Sequence, residues 1–188
     1  MNSHQALEAL LPLLSEEDAA VFANGKIGRE ANCVRPRKRN FYLLGSMGLA
    51  ASLGLPLALE NPEKRVFVFD GDGNVLMGLP GLALVGAAGP ANFYHLVIDN
   101  EAYATTGNQP SLSARVDLGQ IATACGYARA YLFRQPENLK ESFAEALKQT
   151  GPLFIQIKVN RDIHHDCPRL PATAMEINES FRRSMGMK

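Results

Sequence analysis

One stretch limits this chain more than any other: Arg65 to Asn74, RVFVFDGDGN. Its first five residues form a short apolar, β-branched and aromatic run, with no alternation that would leave one face wet. That is the pattern of a parallel strand covered on both sides. The run then enters Asp70-Gly71-Asp72-Gly73-Asn74. Two glycines around one carboxylate permit a tight turn and let the backbone come close to an anion.

A strand of this kind needs helices above and below it, and the rest of the chain supplies them. Apolar periodicity, caps and breakers give helices over 4–14, 28–33, 45–60 and 76–88, another capped by Asp117, and a further one opened by Pro136 and stopped by Gly151. Strands are expected over 19–23, 65–69, 93–98, 128–133 and 153–159. Strands alternating with helices imply an α/β fold, a three-layer doubly wound parallel sheet, with ligands gathered at the carboxyl ends of its strands. The 188 residues suit one domain over 1–188, with a C-terminal tail from about residue 160.

Charge and cysteine usage remove several function classes. Nineteen Lys and Arg balance nineteen Asp and Glu, so no global field recruits nucleic acid or an anionic membrane. Cys33, Cys125 and Cys167 form no CxxC, which leaves zinc ribbons, thioredoxin-like pairs and iron–sulfur clusters without ligands. Reduced thiols and an N-terminus lacking secretory features point to a cytoplasmic protein. Two uncharged stretches, 41–59 and 75–98, approach membrane length, but glycines, serines and prolines dilute them. They read better as elements buried in a soluble α/β layer.

The next strand ends in Asp99-Asn100-Glu101-Ala102-Tyr103. Twenty-six residues lie between Gly73 and Asn100, enough for one helix and one strand. In a parallel sheet that distance returns Asn100 to the edge that holds Asp72. A carboxylate and an amide oxygen then converge where a hard cation can bridge them to a diphosphate.

The GDG…DN pair resembles the diphosphate-binding motif of thiamine diphosphate enzymes. Upstream, Asn40-Phe41-Tyr42-Leu43-Leu44-Gly45-Ser46-Met47-Gly48 looks like the segment that holds the cofactor's aminopyrimidine. Downstream, Asp99-Asn100-Glu101-Ala102-Tyr103 and Thr106-Gly107-Asn108-Gln109 are similar to the DNxxY…TGGQ pattern of the sulfopyruvate and phosphonopyruvate decarboxylase group. The resemblance runs from about Asn24 to about Val159.

It implies thiamine diphosphate and Mg²⁺ as cofactors, the metal being held by Asp72, the Asn100 side chain and the Ala102 carbonyl. Gly71, Gly73 and Asn74 would surround the diphosphate, with Tyr103 nearby. Gly45, Ser46 and Met47 would meet the pyrimidine, and the Met47 side chain would prop the cofactor into its bent form. Met47, Thr106 and Gln109 are the candidate catalytic residues. The activity implied is decarboxylation of a small anionic 2-oxoacid. Sulfopyruvate, giving sulfoacetaldehyde and CO₂, is the first substrate and phosphonopyruvate the alternative. An acetolactate synthase-like carboligase fragment and a non-catalytic cofactor-binding module are the other readings. The family's pyrimidine-side domain supplies an activating glutamate, and this chain has room for the diphosphate side only. The resemblance therefore implies a separate pyrimidine-domain (alpha) subunit, a hetero-oligomer with a possible homodimer of this chain, and no turnover without the partner.

Departures from the pattern fall at Asn108, Ala104 and Pro56. The basic run Arg35 to Arg39 either draws a sulfonate or phosphonate or is a solvated loop. His164-His165-Asp166-Cys167 reads as a tail that wraps a surface rather than a metal cluster, and His95 as a satisfied core histidine.

Overall fold

In the computed structural model, which describes residues 1–134, 138–162 and 167–187, the RVFVF run lies inside a six-stranded sheet. The elements follow as α1 (Ser3–Leu10), β1 (Ala19–Phe22), α2 (Lys26–Val34), β2 (Asn40–Tyr42), α3 (Ala50–Glu60) and β3 (Val66–Gly71). Next come α4 (Asp72–Met77), α5 (Leu79–Ala88), β4 (Phe93–Asp99), the two-residue strands β5 (Ala102–Tyr103) and β6 (Gln109–Pro110), and α6 (Leu118–Ala124). β7 (Arg129–Phe133), α7 (Leu139–Ala146), β8 (Leu153–Lys158) and α8 (Ala174–Met185) complete the order.

The large sheet runs β2-β1-β3-β4-β8-β7 with every neighbouring pair parallel. Period-2 alternation sends its residues into two separate cores. Phe22, Phe67, Phe69, Leu96 and Ile155 pack with Leu7, Leu10, Ala31 and Phe143 of α1, α2 and α7. Val21, Val66, Val68, Phe93 and Val97 pack with residues of α3, α5, α6 and α8 on the other face. The chain leaves β1 toward β2 on one side and returns to β3 on the other. Strand order therefore reverses between β1 and β3, and a crevice opens there at the carboxyl edge of the sheet.

Several boundaries differ from expectation for local reasons. The helix expected over 45–60 begins only at Ala50, because Ser46 (φ 56°) and Gly48 (φ 86°) are left-handed and cannot continue a helix. The helix expected over 76–88 is two, meeting at Gly78. α7 ends at Ala146, ahead of Gly151, and its expected start at Pro136 lies outside the described residues. β2 was not expected at all.

The tail beyond 160 contains α8, opened by a capping box in which Thr173 and Glu176 satisfy each other's backbone N–H groups. Phe181 and Met185 of α8 enter the second core, and Phe181 meets the Phe41 ring edge-on. α8 thus covers this domain's own surface; His164, His165 and Asp166 lie outside the described residues. Among the described residues no helix is long and apolar enough to cross a membrane.

Candidate functional site

β3 ends at Gly71, and α4 begins at Asp72 without a break, so the Asp-Gly-Asp-Gly-Asn turn sits at the crevice. Its other wall is the β1–α2 turn, Asn24-Gly25-Lys26, where Gly25 has φ 91°. Asn74 donates to Asn24 Oδ1 at 2.8 Å and ties the two turns together across the strand-order reversal. Met47, Gly71, Asp72, Gly73, Asn74, Asn100, Ala102 and Tyr103 all line this one cleft, which encloses about 600 Å³ of solvent-open space. A side chain at Gly73 would place its Cβ 2.5 Å from the Tyr103 ring and 3.3 Å from Met47 Cε. Only glycine lets those two side chains close over the turn.

Asp72 is 3% exposed, and both its serine bonds reach one oxygen: Ser111 and Ser113 donate to Oδ2. Ser113 Oγ also lies 2.8 Å from Asp99 Oδ1 and 2.9 Å from Ser111 Oγ. A hydroxyl has one proton to give. With the Ser111 proton on Asp72, the Ser113 proton goes to one carboxylate or the other, so the two acids compete for it. Burial pushes the Asp72 carboxyl above the usual carboxylate range; the Ser111 and Ser113 bonds oppose the shift, and the neighbouring Asp99 charge adds to it.

Asp99 is anchored from behind by Gln156 Nε2 at 2.6 Å and Lys158 Nζ at 2.8 Å, and Lys158 also reaches Glu101 at 2.7 Å. Burial works against the Lys158 charge, but Asp99 and Glu101 outweigh it and hold its pKa above the usual value. Asn100 Oδ1 accepts the Ala102 N–H at 3.1 Å, which folds the chain back beside Glu101, a third non-glycine position with φ near 57° alongside Ser46 and Asn108.

The expected residues therefore divide. The metal set Asp72, Asn100 and Ala102 shares one cleft, as do Gly71, Gly73, Asn74, Met47 and Tyr103. Gly45 and Ser46 stand exposed beside Met47 rather than in the lining. Thr106 and Gln109 are exposed as well, and Thr106 donates to Gln109 Oε1 at 2.9 Å. Among the described residues no group of three or more His, Cys, Asp or Glu side chains could hold a metal.

In the basic run Lys38 is exposed, while the three arginines bond to the chain itself. Arg35 donates to the Leu11 and Leu14 carbonyls, Arg37 to the Asp18 carbonyl, and Arg39 to the Glu17 and Ser184 carbonyls. These arginines lace the end of α1 and the end of α8 to the sheet. His95 is the core histidine expected: it lies 3.0 Å from both Tyr127 Oη and Asp70 Oδ2.

Sequence reasoning missed Ser111, Ser113, Gln156, Lys158, Asn24 and Lys26, and quoted Asp99 within its motif without giving it a role. The signal for Gln156 and Lys158 was present, as two polar residues interrupting LFIQIKV, a run otherwise apolar. Nothing marks the two serines.

Residues 25–157 match the family model described as thiamine pyrophosphate enzyme, C-terminal TPP binding domain. The chain is 40% identical over 177 residues to a phosphonopyruvate decarboxylase of Streptomyces viridochromogenes, a match covering 94% of this chain and 44% of that one. It is 40% identical over 178 residues to the sulfopyruvate decarboxylase subunit beta of Methanothermobacter thermautotrophicus, covering 94% of this chain and 91% of that one. The chain thus spans less than half of the first relative and nine-tenths of the second. A solved structure from Mycobacterium smegmatis, described as a putative thiamin diphosphate-dependent enzyme, shares the fold, with a TM-score of 0.68 at 17% identity, covering 85% of this chain and 32% of the other.

Proposed function

Because the chain belongs to the thiamine pyrophosphate enzyme family, through that family's C-terminal cofactor-binding domain, we propose that it is the diphosphate-side (beta) subunit of a thiamine diphosphate- and Mg²⁺-dependent 2-oxoacid decarboxylase. Sulfopyruvate is the substrate proposed first and phosphonopyruvate second. The observation that supports this most is the meeting of Asp72, Asn100 and Ala102 on one cleft at the strand-order reversal. The near-full-length match to a separate beta subunit favours the split enzyme, and sulfopyruvate with it.

The residues present fit the cofactors. Asp72 offers a buried carboxylate, and both its serine bonds fall on Oδ2, leaving Oδ1 outside them. An amide oxygen and a backbone carbonyl complete a hard-oxygen set suited to Mg²⁺. The open backbone at Gly71 and Gly73, with Asn74, would receive the diphosphate. Bound there, thiamine diphosphate supplies the electron sink that lets a 2-oxoacid lose CO₂. Ser111 and Ser113 hold the Asp72 carboxylate in one orientation, while Lys158 and Gln156 hold Asp99 behind it. Met47 and Tyr103 close over Gly73. The exposed Gly45, Ser46, Thr106 and Gln109 lie outside the cleft lining, and we assign them to the surface that a pyrimidine-domain alpha subunit completes.

Aldehyde release from sulfopyruvate and from phosphonopyruvate, with thiamine diphosphate and Mg²⁺, tests this on the chain alone and on its assembled complex. Activity confined to the complex is expected, and the preferred substrate names the reaction. Activity of the chain alone would overturn the split site. Asp72→Ala should abolish Mg²⁺-dependent cofactor retention while leaving the fold intact; unchanged cofactor content would defeat the metal assignment.

A further inference from the structure

We propose that Lys26, seated by Glu30 at the start of α2, is the protein's cationic contact for a tetrahedral oxyanion in this cleft, on the wall facing the Asp72 turn. The ligand's identity rests on the function proposed above; the oxyanion chemistry does not. Two groups of that chemistry would enter here, the cofactor's terminal phosphate and the substrate's sulfonate or phosphonate.

Charge in the cleft is sparse. Among its lining residues Lys26 is the one cation and Asp72 the one carboxylate. Arg35, Arg37 and Arg39 are not among the lining and bond to backbone carbonyls elsewhere. A divalent cation held by Asp72 cannot alone cancel the charge of a diphosphate.

Lys26 is also built into place. Its side chain is 18% exposed, with Nζ 3.1 Å from Glu30 Oε1 and 3.2 Å from Ser3 Oγ. An ammonium has three donors, so one remains beyond these two partners. Glu30 is fully buried, and apart from the Lys26 ion pair neither of its oxygens has a hydrogen-bond partner. Burying a carboxylate with so few partners is unfavourable, and what this one secures is the position of a single ammonium at the cleft. The Asn24–Asn74 bond fixes the turn carrying Lys26 against the turn carrying Asp72. α2 starts at Lys26 behind Gly25 as its N-cap, with no side-chain cap and no acidic residue in its first turn, and its own Glu30 holds the ammonium from the buried side.

The test uses the full chain with Mg²⁺ and calorimetric titration of inorganic pyrophosphate. Lys26→Met alone leaves Glu30 buried without a counterion, so the informative variant is Lys26→Met with Glu30→Gln, checked for native circular dichroism. Lys26→Arg keeps the charge. The double variant should weaken pyrophosphate binding by about tenfold to a hundredfold, as expected for losing a charge-assisted hydrogen bond, with Lys26→Arg close to wild type. Two further arms separate the sources. A loss seen with thiamine diphosphate and not with thiamine monophosphate puts the contact on the cofactor's terminal phosphate. Unchanged cofactor affinity with a raised KM for the oxoacid in the assembled complex puts it on the substrate. A folded double variant that binds pyrophosphate, thiamine diphosphate and oxoacid like the wild type overturns the proposal. Lost pyrophosphate binding beside a wild-type complex that decarboxylates nothing would leave the oxyanion site standing and remove the function instead.

Discussion

Substituting Gly78 by alanine isolates the contact that joins the two halves of the site. Gly78 sits between α4 and α5 with φ −99° and ψ 21°, a conformation open to alanine, so the change introduces no backbone strain. The new Cβ would lie 2.1 Å from the Gly48 carbonyl oxygen, where ordinary contact begins at 3.4 Å. Both sides of the clash are backbone, so no rotamer relieves it, and the 45–49 loop must move from α4 by about 1.3 Å. Overpacking of this kind costs about 1–3 kcal/mol, which for a chain of this size lowers Tm by about 2 to 12 °C. The moving loop carries Met47, and a misplacement of about 1 Å can lower a rate by about a hundredfold. Thermal unfolding with and without thiamine diphosphate and Mg²⁺, together with turnover of the complex, reads both effects. Gly81→Ala is the control, since the one tight contact of its Cβ is the Ser52 hydroxyl at 3.1 Å and that side chain can turn away. A Gly78→Ala protein melting within about 1 °C of wild type would show that the Gly48–Gly78 approach does not hold the loop.

Asp18 is buried and takes two hydrogen bonds from Arg65, at 2.9 and 2.6 Å, as well as the Ser15 N–H. Asp18→Ala should destabilise the fold by about 1–3 kcal/mol in urea titration, the partly exposed Arg65 moderating the loss. The Thr173 backbone and hydroxyl hold the Glu176 carboxyl below its usual range. Its folded-state pKa is depressed, so the capping box is at full strength above pH 4.5 and weakens as pH falls through the folded value. Protection factors of the α8 amides, which take out the intrinsic slowing of exchange in acid, should therefore fall on acidification, and Glu176→Gln should remove that pH dependence. Chelating Mg²⁺ in the presence of thiamine diphosphate should abolish the ligand's thermal stabilisation, worth about 2.7 kcal/mol at a hundredfold excess over Kd.

Continuous apolar runs announced β3, β4 and β8, and one spacing announced that Asp72 and Asn100 would meet, because a parallel sheet leaves a chain of that length little other route. Gly45 to Leu49 misled for a physical reason. Small and apolar residues suit a buried helix and a close-packed loop equally, and the left-handed backbone at Ser46 and Gly48 leaves no compositional trace. The serines that hold Asp72 lie some forty positions away and arrive through the β5–β6 hairpin, which no periodicity encodes. The arginines of 35–39 read as surface charge because their partners are carbonyls at the ends of distant helices.

Ser46, Glu101 and Asn108, the three non-glycine residues with positive φ among the described residues, all stand in loops beside the cleft. Left-handed backbone costs an ordinary side chain about 1–2 kcal/mol, less for asparagine. Glycine at Ser46 would relieve that strain and at the same time release the segment carrying Met47, whereas at Glu101 it would also delete the ion pair to Lys158. A population of this gene screened only for heat resistance would be drawn to the Ser46 codon, and would trade away the shape of the site in gaining it.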